Sequence, residues 1–201
     1  MRHVLLPLAL LIALSGCDRR DPNDTPAPAT DAAAAAPAAS TAPDNPATAP
    51  VADQPATATE NDGVALALLA AVDEHEIAAA KQAQSRGVSA PVMTYAKMME
   101  KDHTQNLEQT RALGPLADTE EVKAMKDKGQ KDLDTLGRQT GQAYEEAYVE
   151  AMVKGHTEAL SLIDTRLLTL ASNGPVKDHL NATRQAVAHH LDEAKKLQSA
   201  R

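Results

Sequence analysis

Met98-Met99-Glu100-Lys101-Asp102-His103 sits in a run where Val92, Ala96, Met99, His103, Asn106 and Thr110 recur every three or four positions. That spacing is the helical period, and it puts His103 on the dry stripe of an amphipathic helix rather than on its wet side. An imidazole held away from water needs a hydrogen-bond partner or a metal. The chain around this helix therefore has to supply one.

Outward from it, the same period marks three more long helices. The first runs from about 62 to 86, with Leu66, Leu69, Val72, Glu76, Ala80 and Ala83 on its stripe, and stops at Gly87. Ser89-Ala90-Pro91 opens the second, which carries His103 and reaches about Leu113 before Gly114-Pro115. A third long helix, about 141–172, carries Tyr144, Tyr148, Met152, His156, Ala159, Ile163, Leu167 and Leu170 inward. Asn173-Gly174-Pro175 reads as a terminating glycine followed by proline. The fourth, about 175–198, presents Val176, Leu180, Thr183, Val187, His190, Ala194 and Leu197. Between the second and third lies one extra short helix, about 119–136. Asp118 is its expected N-cap with Glu121 three residues on, and its thin apolar edge suits packing on the outside. Nothing in this stretch reads as a strand. The expected fold is all-α, an antiparallel four-helix bundle with the short helix added.

Composition agrees. The 201 residues include no Phe, no Trp and three Tyr, so Leu, Ala, Val, Met and Ile must fill the core. Such small aliphatic side chains suit closely packed helices and give little to a sheet. The formal charge of −8 divides into +1 for residues 1–17, −5 for 18–61 and −4 for 62–201. With no basic stripe and no stacking platform, nucleic acid is excluded as a partner. The single cysteine, Cys17, lies outside the helical part, so any metal there must be held by nitrogen and oxygen.

Residues 1–17 have a basic start, an apolar segment from Val4 to Leu14, and then Ser15-Gly16-Cys17. They read as an export signal too short to span a bilayer as a mature helix. Leu14-Ser15-Gly16-Cys17 resembles the bacterial lipobox. That resemblance implies lipidation of Cys17, a membrane anchor there, and a protein on the periplasmic side of the inner or outer membrane. Residues 18–61 are rich in Ala, Pro, Thr and Asp and cannot bury enough apolar surface to fold alone, so a tether is expected. In polyproline II it would reach on the order of 130 Å. Residues 62–201 are left as one bundle domain of ordinary size.

Bundle geometry brings distant residues to one level, because positions equidistant from a hairpin turn lie side by side. Counted from Asn173, His156 is 17 residues back and His190 is 17 forward. Counted from Val88, Glu76 is 12 back and His103 is 15 forward, an offset of about 4.5 Å that side chains can span. The set Glu76, His103, His156 and His190 would suit one transition metal ion: Zn, Cu or Fe. Asp102 is rotated by about 100° and suits an outer hydrogen-bond acceptor, and Tyr148 suits a nearby donor. The competing reading needs no metal: the same groups form a polar packing layer, with Glu76 as the carboxylate that satisfies the rings. His75, His179 and His189 are expected at the surface, and Met98, Met99, Met125 and Met152 as core filler.

Taken together, Glu76-Ile77, Ala96-Lys97-Met98-Met99-Glu100-Lys101-Asp102-His103, Tyr148 through His156, and His190-Leu191-Asp192-Glu193-Ala194 resemble the bacterial domain-of-unknown-function family 4142. Its members are ferritin-like and often labelled outer membrane proteins. The resemblance covers residues 64–198 and implies a ferritin-like four-helix bundle without an assigned activity. Di-iron enzymes of that fold use about four carboxylates and two Glu-x-x-His motifs. This chain has one, Glu100-x-x-His103, with Val187 at the matching position before His190 and His156 where a glutamate is expected. A di-iron oxidase is disfavoured, and no phosphate loop, nucleophile elbow or cysteine nucleophile points to another enzyme. Two functions follow: a tethered periplasmic helical protein that binds a transition metal, or a non-catalytic envelope protein, its protein partner unknown, whose His/Glu layer only fixes packing.

Overall fold

The computed structural model describes residues 59–201. The expected signal at 1–17, the Cys17 lipidation site and the tether up to residue 58 lie outside the described residues. Among those described the structure is helical throughout, with no strand. Helix α1 spans Glu60–Gln84, α2 Ala90–Ala112, α3 Glu120–Gly137 and α4 Gly141–Leu162. α4 runs on through a π-helical turn, Ile163–Leu167, and one last turn, Leu168–Leu170. α5 spans Gly174–Ser199. No helix here is long and apolar enough to cross a membrane.

Chain punctuation explains the boundaries, with two departures from the sequence reading. Gly87 takes φ +67°, a conformation that L side chains resist, and ends α1 as expected. α3 is capped by Thr119, not Asp118: the Thr119 hydroxyl accepts from the Val122 amide at 3.3 Å, which starts the helix one residue later. Gly174 does not terminate the preceding helix. It is the first residue of α5, with Asn173 as N-cap and Pro175 in the first turn, where a missing N–H costs nothing. The preceding helix has already stopped at Leu170, after the π turn, and Ala171 is extended.

α1 packs against both α2 and α3, α4 pairs with α5, and α2 also meets α5. Two apolar clusters result. One joins the first half of α1 (Leu66, Leu68, Leu69) to Ile163 and Leu167 beyond α4 and to Leu180 of α5. The other gathers Ala79, Ala80 and Ala83 of α1, Met99 of α2, Met152 of α4 and the three tyrosines. Tyr144 stacks on Tyr148, and Tyr95 meets Tyr148 edge-on, both with centroids 6.4 Å apart, so every aromatic side chain of the sequence goes to this one end. α3 lies against α1 and buries only Val122 and Leu136 fully.

The start of α1 is tied to the turn before α5 by one carboxylate. Asp62 accepts from the Thr59 amide and hydroxyl, both at 2.7 Å, and the Thr59 hydroxyl accepts in turn from the Asp62 amide, which makes a reciprocal cap. Asp62 also accepts from the Ser172 amide at 2.7 Å, the Ser172 hydroxyl at 2.9 Å and the Asn173 amide at 3.1 Å. Burial opposes ionisation, but these donors outweigh it and hold the carboxyl well below the usual range. A depressed carboxyl stabilises the fold above its unfolded-state pKa and loses that contribution as pH falls through the folded-state value. Asp62→Ala is therefore expected to cost about 3 kcal/mol near pH 7. Urea unfolding should show the gap between parent and variant narrowing steadily below about pH 4.

Candidate metal centre

Between the two apolar clusters lies a layer of buried polar side chains: Asp73 and Glu76 from α1, His103 from α2, His156 from α4 and His190 from α5. None of the five is more than 3% exposed, so each must find its partner inside the protein.

The three histidines come together. Ring centroids are 5.3 Å apart for His103 and His190, 5.6 Å for His156 and His190, and 5.9 Å for His103 and His156. One ligand atom from each lies within 4.8 Å of the other two. Each ring is also held by one nitrogen. His103 donates Nδ1–H to Asp73 Oδ1 at 2.8 Å, His156 donates Nδ1–H to the Met152 carbonyl at 2.8 Å, and His190 Nε2 meets Asp102 Oδ2 at 3.2 Å. The remaining nitrogens, Nε2 of His103, Nε2 of His156 and Nδ1 of His190, are buried and have no hydrogen-bond partner. A ring fixed through one nitrogen to a carboxylate or carbonyl, with the other lone pair left over, is how proteins prepare a histidine for a metal. Three nitrogens at 2.0–2.1 Å from a tetrahedral ion would be about 3.4 Å apart, a spacing the rings reach by drawing together.

Glu76 lies beside this group and not in it. Its Oε1 is 4.0 Å from His156 Nδ1, the nitrogen already bonded to Met152, and its Oε2 has no partner. Tyr148 is buried with its hydroxyl unpartnered. Burial, then the neighbouring Glu76, pushes that phenol up and keeps it protonated. Glu100, the acid of the Glu-x-x-His spacing, faces away: it accepts from Gln84 at 2.6 Å and pairs with Lys81 at 3.7 Å. His103 therefore has no carboxylate co-ligand at that spacing.

The helical stripe of α1 passes through Val72 and Glu76 and misses Asp73. That aspartate is fully buried and accepts from Asn106 Nδ2 at 3.1 and 2.9 Å as well as from His103. Asn106 Oδ1 takes the Thr183 hydroxyl at 2.8 Å, which extends the network to α5. A signal for it existed: Asp73 is 15 residues before Val88, level with His103, 15 after. Two surface expectations also need correction. His75 is half-buried beneath Gly129 of α3, and His179 is half-buried with Nε2 2.8 Å from the Thr110 hydroxyl. In both cases a neighbouring helix covers what a single-helix stripe leaves outside. His189 does lie at the surface.

Electrostatics divides the rings. Burial lowers His156, and burial together with the other two rings lowers His190 to about 4, so both are neutral at pH 7. Burial also works against charge on His103, but the Asp73 carboxylate prevails and raises its pKa. Two free lone pairs are thus ready without loss of a proton.

All five residues of the layer fall inside residues 46–197, the span over which the chain matches the family described as Domain of unknown function (DUF4142). The chain belongs to that family. No curated protein and no solved structure matches it.

In this DUF4142 domain two of the three histidines border a groove. That groove, ≈ 210 Å³ between α2 and α5, is lined by Asp102, His103, Asn106, Thr183 and His190. The opposite side of the layer, at Glu76, borders a larger cavity between α1, α3 and α4.

Proposed function

We propose that the protein binds one transition metal ion, Zn, Cu or Fe, through His103, His156 and His190. Glu76 supplies negative charge beside them, and a fourth coordination position is left open toward the groove between α2 and α5. The observation that carries this reading is the set of three unpartnered buried nitrogens, one on each of three rings already oriented by Asp73, Met152 and Asp102. A layer built only for packing would leave those buried nitrogens without a partner, at a cost of about 1–3 kcal/mol each. Nitrogen donors in this number suit zinc, copper or ferrous iron over magnesium or calcium.

The helical arrangement supports a ferritin-like antiparallel four-helix bundle made of α1, α2, α4 and α5, with α3 as the added helix. The lipobox-like Leu14-Ser15-Gly16-Cys17 supports lipidation of Cys17, a tether over most of 18–61, and a bundle domain on the periplasmic side of a membrane. Binding is proposed and catalysis is not.

A specific observation favours a second reading. The hydrogen bonds from Thr183 through Asn106 and Asp73 to His103 Nδ1 form without any ion and would by themselves lock α1, α2 and α5 in register. On that reading the protein is a structural or interaction protein of the envelope. Elemental analysis of the purified chain, after titration with Zn(II), Cu(II) and Fe(II) and desalting, decides between them. About one ion per chain is expected. A chain that emerges metal-free from all three titrations overturns the metal site and leaves the packing layer.

A further inference from the structure

Glu76 poses a question that the metal site does not answer. Its carboxylate is 3% exposed, and Oε2 has no hydrogen-bond partner. A buried acceptor in that state calls for a donor from outside the chain.

The cavity on this side measures ≈ 490 Å³, within the range of small-molecule sites, and lies between α1, α3 and α4. Its walls are largely methyl groups and aliphatic chains, among them Ala71, Met125, Ala151, Ala159 and Leu162, and Glu76 lines it. α4 comes close to this carboxylate because residue 155 is glycine: a Cβ there would sit 3.2 Å from Glu76 Oε1. The charges at the rim cancel. Lys128 pairs with Asp132 at 2.8 Å and with Glu158 at 3.6 Å, and Lys154 pairs with Glu158 at 3.9 Å. Two cations against two anions leave Glu76 as the one formal charge of the lining without a lysine, so the cavity as a whole carries −1.

An apolar chamber with a single uncompensated carboxylate selects for a ligand of matching form. A hydrated metal ion would find methyl groups where it needs oxygen ligands. A carboxylate ligand would meet like charge, and a plain hydrocarbon would leave Oε2 unsatisfied. We propose that the cavity between α1, α3 and α4 binds a small amphipathic organic amine, its ammonium group on Glu76 and its hydrocarbon body on the aliphatic walls. The site lies on the far side of Glu76 from the histidine triad and shares that carboxylate with it, but it does not need an ion bound there.

The test is calorimetric titration of the purified full chain, without added metal, using n-hexylammonium chloride as probe and hexan-1-ol and hexanoate as controls. The expected result is saturable binding of one hexylammonium per chain, about tenfold or more tighter than hexan-1-ol, with hexanoate weakest. Glu76→Gln should bring hexylammonium down to the affinity of the alcohol. Ala151→Leu, which fills the chamber and keeps the carboxylate, should weaken both, with helical circular dichroism as the check on folding. Absence of saturable hexylammonium binding overturns the proposal, as does hexanoate binding equally well. So does an unchanged affinity in either folded variant. Should Glu76→Gln fail to fold, the hexylammonium to hexanoate ratio and the Ala151→Leu variant still decide. Metal analysis of the same preparation reports on the triad independently.

Discussion

The double variant His103→Ala/His156→Ala is expected to retain no metal after the titration that loads the parent chain with about one ion. Two of three converging nitrogens are gone, and His190 alone, on a groove open to water, offers a single ligand of the kind found on any protein surface. The thermal signature should be as clear. At a free ion concentration of 100 times Kd, binding stabilises the folded state by about 2.7 kcal/mol, which raises Tm by about 10 °C for a domain of this size. The parent should show that rise, and the variant should melt at one temperature with or without metal. The variant's own baseline should be lower, because removing His103 leaves Asp73 buried with one partner fewer. The packing reading predicts that lower baseline too, but with no metal-dependent rise in either chain. A parent Tm that does not respond to zinc, copper or iron would therefore sink the metal site, whatever the variant does.

How far the sequence could lead depended on whether a helix has two unlike faces. α2 and α5 do, and the spacing Val92, Ala96, Met99, His103 and the spacing Val187, His190, Ala194 both mark residues that are buried in the structure. The level of His156 with His190, counted from their shared turn, also holds in space. α1 does not have two faces over its first half. Ala65 through Ala71 are all buried, because α2, α3, the end of α4 and α5 all pack around it. No wet face is left there against which a dry one can be read. The stripe drawn through Val72 then passes over the acid next to it, although Val72 is only half-buried and Asp73 fully so. An aspartate also reads as solvent-exposed unless its partners are known, and those of Asp73 lie 30 and 33 residues away. Gly174 misled for a different reason. Gly-Pro fits either the end of one helix or the start of the next, and the earlier helix had already stopped at Leu170, one turn past the π turn.

Asp73→Asn provides the sharpest test of how the site is oriented, because it changes charge and hydrogen-bond direction while keeping shape. The carboxylate accepts from His103 Nδ1 on Oδ1 and from Asn106 Nδ2 on both oxygens. Replacing one oxygen by NH2 sets donor against donor. If the new amide keeps its oxygen toward His103, its NH2 faces Asn106 Nδ2. Turning Asn106 to meet it removes the acceptor that the Thr183 hydroxyl now uses. Either way one buried group is left unsatisfied, and the metal-free chain should lose about 2 kcal/mol in urea unfolding. The ring of His103 also loses the anion that holds its Nδ1–H and strengthens Nε2 as a donor to metal, so affinity should fall by about 10- to 100-fold with stoichiometry unchanged. A chain that is destabilised by this substitution but binds metal as tightly as before would show that Asp73 serves packing alone. Loss of affinity without loss of stoichiometry is what separates an orienting residue from a ligand, since His103→Ala removes a coordinating atom and Asp73→Asn does not.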